Sequence, residues 1–147
     1  MTDLVFENPS EDEIRTLLEG VRRIAVVGLS PKPHRDSHRV SLYMQERGHE
    51  IIPVYPRGER TLGSQVYRRI QDVPGDIDLV DVFRRSSALA EVTDDALAAG
   101  VPAIWFQLGC IDAAAAQRAR AQGVRVVMDR CLMVDHARLL GSGGRRI

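Results

Sequence analysis

One punctuation recurs along the chain: a segment with helical spacing closes on a glycine, and a short apolar run follows within a few residues. Gly20 precedes Ile24 to Val27, Gly48 precedes Ile51 to Val54, Gly100 precedes Ala103 to Phe106, and Gly123 precedes Val124 to Met128. Glycine suits the left-handed residue that ends a helix, and apolar runs without alternation suit strands covered on both faces. A further run, Leu79 to Phe83, follows Pro74-Gly75 and leads through Ser86-Ser87 into a segment whose Leu89, Val92, Ala96 and Ala99 keep the 3.6 period. This alternation predicts an α/β chain with a doubly wound, mostly parallel sheet of five or six strands in three α/β/α layers. Ligands of such sheets bind beyond the carboxyl ends of the strands.

Local signals fill in the ends. Ser10-Glu11-Asp12-Glu13 is a capping box for a helix at about 10–20 with Ile14, Leu17 and Leu18 inward, and Asp112 is placed to cap an alanine-rich helix. Pro56 to Pro74 is the least regular stretch, with Gln65 to Tyr67 as a short edge strand and Arg69 to Val73 as a helical turn. A short helix around Val134 to Leu140 precedes a glycine-rich segment. The expected organisation is a single domain over 1–140 with a flexible tail over 141–147. At 147 residues and 44% hydrophobic, one such domain can build a sizeable core. An acidic start without an apolar core region, and no apolar run of membrane-spanning length, predict a cytoplasmic protein. Twenty basic residues balance twenty acidic ones, so the overall charge supplies no attraction to nucleic acid or to a membrane surface. Two cysteines, Cys110 and Cys131, make neither a disulfide framework nor a zinc spacing.

The stretch from Ile24 to Ser37 is where chemistry concentrates. A buried strand ends at Gly28 and turns into Leu29-Ser30-Pro31-Lys32-Pro33-His34-Arg35-Asp36-Ser37, with Ser37 as the N-cap of a helix carrying Val40, Tyr43 and Met44. Strand, loop and helix N-terminus in that order collect backbone N–H groups and a positive dipole end, which suits a phosphate. The dinucleotide fingerprint G-x-G-x-x-G is not kept, because Ser30 and Pro33 stand in place of its second and third glycines.

Cations follow nearly every strand: Lys32 and Arg35, Arg57 and Arg60, Arg84 and Arg85, and Arg130. In a parallel sheet these loops share one rim, so a neutral protein presents a locally cationic edge to a ligand with several separated negative charges. The second strand ends Val54-Tyr55-Pro56-Arg57, where an NAD site would carry a carboxylate for the ribose hydroxyls. Arginine there suits a phosphorylated ribose and Tyr55 suits a purine, which admits both NADP and coenzyme A.

Five segments together resemble the small bacterial CoA-binding proteins with a Rossmann-type fold, relatives of the CoA-binding domain of the succinyl-CoA synthetase alpha subunit. They are Val27 to Pro33, Ile52 to Pro56, Val80 to Arg84, Trp105 to Gly109, and Val127 to Cys131, and the resemblance covers Ile24 to about Leu140. It implies coenzyme A or an acyl-CoA as ligand, with Gly28, Ser30 and Lys32 or Arg35, beside Ser37, facing the pyrophosphate. It further implies Tyr55, Pro56 and Arg57 at the adenosine 3′-phosphate end, and Phe83, Arg84, Gln107, Leu108 and Gly109 along the pantetheine path. The synthetase's separate domain with its phosphorylated histidine has no counterpart in this sequence.

Catalytic patterns are weaker. His34 and His38 stand four apart, but Pro33 and the loop context make them surface histidines rather than metal ligands. Cys131, Asp135 and His136 are local neighbours without a diagnostic spacing for thiol catalysis. Asp129 reads as a turn residue and Trp105 as sheet packing. The expectation is therefore a CoA-binding regulatory or carrier module without catalytic or metal residues, with no nucleic-acid or membrane partner, in a sequence compatible with a homo-oligomer. The alternatives are an NADP-dependent oxidoreductase on the same fold and an interaction domain without ligand. Cys110 and Cys131 both follow strands, which places a mixed disulfide with the pantetheine thiol beside the reading of two inert buried thiols.

Overall fold

The structure is a computed structural model that describes residues 5–141, so all of the tail expected over 141–147 except Gly141 lies outside the described residues. Five parallel strands form the central sheet: β1 Arg23–Val27, β2 Glu50–Val54, β5 Leu79–Val82, β6 Ala103–Phe106 and β7 Arg125–Met128, in the order β2-β1-β5-β6-β7. Five helices cover it: α1 Glu11–Gly20, α2 Asp36–Glu46, α3 Leu89–Ala98, α4 Ala113–Ala121 and α5 Leu132–Leu140. The chain thus has the doubly wound Rossmann-type α/β architecture. No described helix is long and apolar enough to cross a membrane.

The strands alternate their side chains between two cores. Ile24, Val26, Leu79, Trp105 and Val127 pack with Ile14, Leu17 and Leu18 of α1, Val40 and Met44 of α2, and Leu132 of α5. Ala25, Val80, Val82, Ile104, Phe106 and Val126 pack with Leu89, Val92 and Ala96 of α3 and Ala116 and Ala119 of α4. Burial on both faces is why these strands read as unbroken apolar runs. Trp105 is fully buried, with its indole Nε1 donating to the Arg130 carbonyl at 2.8 Å.

The capping box is complete: the Glu13 amide donates to Ser10 Oγ and the Ser10 amide to Glu13 Oε1. Asp112 caps α4 through the Ala115 amide. The irregular stretch resolves into a two-residue antiparallel pair, β3 Arg60–Thr61 with β4 Ser64–Gln65, and a 3-10 turn at Ile70–Asp72. Tyr67 does not extend β4; it bridges Val54 in parallel and exchanges backbone hydrogen bonds with Pro53 and Tyr55, covering the end of the edge strand β2. At the opposite edge Asn8 does the same for β7, its amide side chain pairing with both the N–H and the carbonyl of Met128. Both sheet edges are thereby partly closed to further strands.

Candidate functional site

The carboxyl ends of β1, β2 and β5 open into a cleft of ≈ 750 Å³. One wall is the loop from Gly28 to α2, a second is Val54, Tyr55 and Pro56 with Arg68, a third is Phe83, Arg84 and Arg85, and α3 closes it with Glu91, Val92 and Asp95. The site sits where the connections from β1 and β5 leave to opposite faces, which is where open parallel sheets hold ligands.

The loop is built differently from its sequence reading. Arg35, not Ser37, is the N-cap residue of α2 and makes no side-chain cap. Ser37 lies within the helix, and its hydroxyl reaches back to accept from the Ser30 amide at 3.0 Å, while Ser30 Oγ accepts from the Lys32 amide at 3.1 Å. The two serines order the loop by accepting from its amides, and a hydroxyl that accepts in this way still has its own proton to donate. The Gly28 amide is likewise taken, by the Val54 carbonyl at 2.9 Å. Gly28 has φ +87°, and its missing side chain makes room for the Phe83 carbonyl and the Arg84 side chain. That close approach is to the neighbouring strand end, and it brings the Arg84 side chain up against Gly28.

The charges sort into two classes. Several arginines outside the lining are matched: Arg39 with Asp36 and Arg69 with Asp95, whose carboxylates line the cleft, and Arg118 with Asp94 and Arg138 with Glu11 away from it. At the cleft, Arg35, Arg84 and Arg85 have no ion pair among the described residues, nor do Lys32 and Arg57 at its margin. Arg57 lies outside the lining, its guanidinium 5.7 Å from the centroid of the Tyr55 ring. Arg68 lines the cleft and is held by the Gly58 carbonyl at 2.9 Å. Two cations expected on the rim are otherwise engaged. Arg130 binds the buried Asp135 through Nε at 2.5 Å and Nη2 at 2.9 Å, and Arg60 donates to the Gly63 carbonyl.

Gln107, Leu108 and Gly109 stand one strand further along and do not line this cleft. Gln107 is buried, its Oε1 accepting from the Leu132 amide, and the Gly109 amide donates to Asp129 Oδ1. Leu108 is 65% exposed. Asp129 takes the positive φ of a turn residue, 62°. Cys110 is buried with its S–H directed to the Arg84 carbonyl at 3.1 Å, and burial pushes its thiol pKa up, which leaves a weak nucleophile. His136 shares a hydrogen bond with Tyr43 rather than with Cys131, and Asp135 serves two arginines, so these three residues make no thiol site. Among the described residues no group of three or more His, Cys, Asp and Glu side chains is placed to hold a metal ion.

His34, Asp36, Arg68, Ile70, Glu91 and Asp95 line the cleft without having been singled out from the sequence as ligand-facing. The four-residue spacing of Glu91 and Asp95 on the helix after Phe83-Arg84 was a usable signal, because it sets both on one face. Arg68 carried none.

Residues 22–137 match the CoA binding domain family. The chain belongs to that family. Its relatives include the uncharacterized protein YneT of Bacillus subtilis, 44% identical over 132 residues, which are 90% of this chain and 98% of that one. A 59-residue stretch, 40% of this chain, is 34% identical to 13% of the alpha subunit of an ADP-forming acetate–CoA ligase of Pyrococcus furiosus. Among solved structures, a hypothetical protein of Pyrococcus horikoshii superposes with a TM-score of 0.88 at 34% identity, over 96% of this chain and 100% of that one. The family domain thus extends from β1 to α5 and contains the whole cleft.

Proposed function

We propose that the domain binds coenzyme A or an acyl-CoA in the cleft at the carboxyl edge of its sheet and acts as a stand-alone binding module. One observation carries this reading: Arg35, Arg84 and Arg85 line the cleft without an ion pair among the described residues, in a chain of the CoA binding domain family. A ligand with a pyrophosphate and a ribose phosphate supplies the missing counter-charges at separated points. The likeness of part of the chain to an acetate–CoA ligase alpha subunit supports the same ligand class.

In this reading the Ser30 and Ser37 hydroxyls, the first amides of α2, Arg35 and Arg84 face the pyrophosphate. Tyr55, Pro56, Ile70 and Val92 enclose the adenine. Arg57 and Lys32 close on the 3′-phosphate from the margin, and the pantetheine arm leaves past Phe83 toward Gln107, Leu108 and Gly109.

Titration calorimetry with CoA, dephospho-CoA and NADP tests the reading. CoA binds with a Kd of about 10 µM or tighter, and loss of the 3′-phosphate weakens it about tenfold or more. NADP binding in preference to CoA would replace this reading with a nicotinamide site.

A further inference from the structure

Three acidic side chains line the cleft, and two of them are engaged. Asp36 Oδ1 is held by Arg39 at 2.5 Å, and Asp95 Oδ1 accepts from Arg69 Nη2 at 2.9 Å and from Gln71 Nε2 at 3.0 Å. Glu91 makes neither a hydrogen bond nor an ion pair among the described residues, although the charge of Arg69 acts on it from further off and Arg84 and Arg85 line the same cleft. A free carboxylate in a pocket built for anions works against phosphate binding unless the ligand brings a donor to it.

Position says which part of a ligand that is. Glu91 lies in the first turn of α3, one residue before Val92, which is buried and lines the cleft together with Ile70 and Val54. These three apolar side chains, with Tyr55 and Pro56, make the part of the cleft suited to a flat ring. The Gly28 loop with Arg35 and Arg84 makes the part suited to phosphates. Glu91 thus lines the cleft one residue along α3 from its ring end, and its carboxylate is an acceptor for an exocyclic amine.

We infer that Glu91 reads the 6-amino group of the ligand's adenine, making the site selective for an amino-substituted purine. This rests on the CoA reading above and adds to it a specificity residue on α3. A carboxylate there attracts the amine of adenine, gains nothing from a purine without it, and disfavours rings that present a carbonyl at the same place. Because Glu91 is exposed, the contrast falls at the lower end of what a charge-assisted hydrogen bond supplies, about fivefold to tenfold.

The test uses the full chain and two nucleotides, adenosine 3′,5′-bisphosphate and purine riboside 3′,5′-bisphosphate, which differ only in the 6-amino group. Wild-type protein should bind the first about fivefold to tenfold more tightly, Glu91→Ala should bind both alike, and Glu91→Gln should keep part of the preference because its carbonyl still accepts. Removing the charge should also tighten purine riboside 3′,5′-bisphosphate somewhat in Glu91→Ala, since that nucleotide brings no donor to the carboxylate. A wild-type ratio near one, or a ratio that survives in Glu91→Ala, overturns the inference while leaving the CoA reading intact. Failure of wild-type protein to bind CoA and either nucleotide overturns both.

Discussion

The carbonyl group of Phe83 occupies the place where a side chain on Gly28 would have to go. A Cβ there would come within 3.1 Å of the Phe83 carbonyl carbon and closer still to its oxygen, with the Arg84 side chain at 3.4 Å. The Phe83 amide is bonded to the Val27 carbonyl at 2.9 Å, so neither backbone can yield without breaking the β1–β5 pairing. Gly28 combines this close approach with a φ of +87°. Gly28→Ala should therefore destabilise the fold by about 3 kcal/mol or more, through both strain and displacement of the sheet. A urea denaturation midpoint checks this. A variant as stable as wild type would mean that the strand ends are not held as described.

The unpaired cations of the cleft lead to a second expectation. Arg84→Ala and Arg35→Ala should each weaken CoA by about tenfold, and should do so with little change in stability because neither side chain has a partner to lose. Arg118→Ala, which breaks a pair with Asp94 away from the cleft, should leave CoA affinity unchanged. Calorimetry on the three variants separates local from general electrostatics, and equal losses in all three would contradict the sorting of charges.

Asp135 is 2% exposed and held between Arg130 and Arg138, with Arg138 also bound to Glu11 at 2.7 Å. Removing the acid leaves two cations facing each other over a buried spot, so Asp135→Ala should cost about 3 kcal/mol. Arg138→Ala, whose side chain is more exposed, should cost about 1 kcal/mol or less. Denaturant unfolding of both variants measures the contrast, and similar losses would count against the buried network.

Acid should weaken the fold through a pair of histidines. His49 and His136 face each other with ring centroids 5.5 Å apart, beneath Tyr43 and the Arg47 guanidinium that covers it. Burial, then the His49 and Arg47 charges, push the His136 pKa down to about 4, and burial also lowers that of His49. The unfolded chain takes up these protons near pH 6.5 and the folded one resists them. The stability they contribute is present above pH 6.5 and is lost as pH falls toward about 4. Thermal unfolding between pH 7 and pH 4 (about three units) should show a declining Tm, with a shallower decline in His136→Gln. Parallel slopes would place the acid sensitivity elsewhere.

Asp81 acts in the opposite direction. It lies mid-sheet between Val26 and Trp105, is fully buried, and neither carboxyl oxygen makes a hydrogen bond of good geometry among the described residues, so burial, only partly offset by the Val82 backbone, pushes its pKa well above the usual range. The folded state keeps a proton that the unfolded chain releases above pH 3.8. Its contribution is whole below that pH and erodes as pH rises toward the folded value. Asp81→Asn, with no proton to lose, should gain stability relative to wild type as pH rises from about 4.5 to 8. A difference between the two proteins that does not change with pH would mean that Asp81 is ionised in the fold.

The sequence by itself determined the elements whose causes are local. Apolar runs at Ile24, Ala103 and, interrupted by Asp81, Leu79 marked strands covered on both faces. The Ser10-x-x-Glu13 box and Asp112 marked helix starts within four residues of the groups they cap, and parallel connectivity then put the candidate cleft at the carboxyl ends. What only the tertiary structure decided was which charges remain free and which polar groups are spent. Arg130 and Arg84 look alike in sequence, yet one meets a buried carboxylate and the other meets none. Ser37 looked like a cap until the loop folded back and gave it the Ser30 amide, and Glu91 entered the site only when α3 packed beside the ends of β1 and β5. The reason is physical: a cap or a strand is settled by neighbours along the chain, whereas the availability of a charge depends on partners that the chain brings near only by folding.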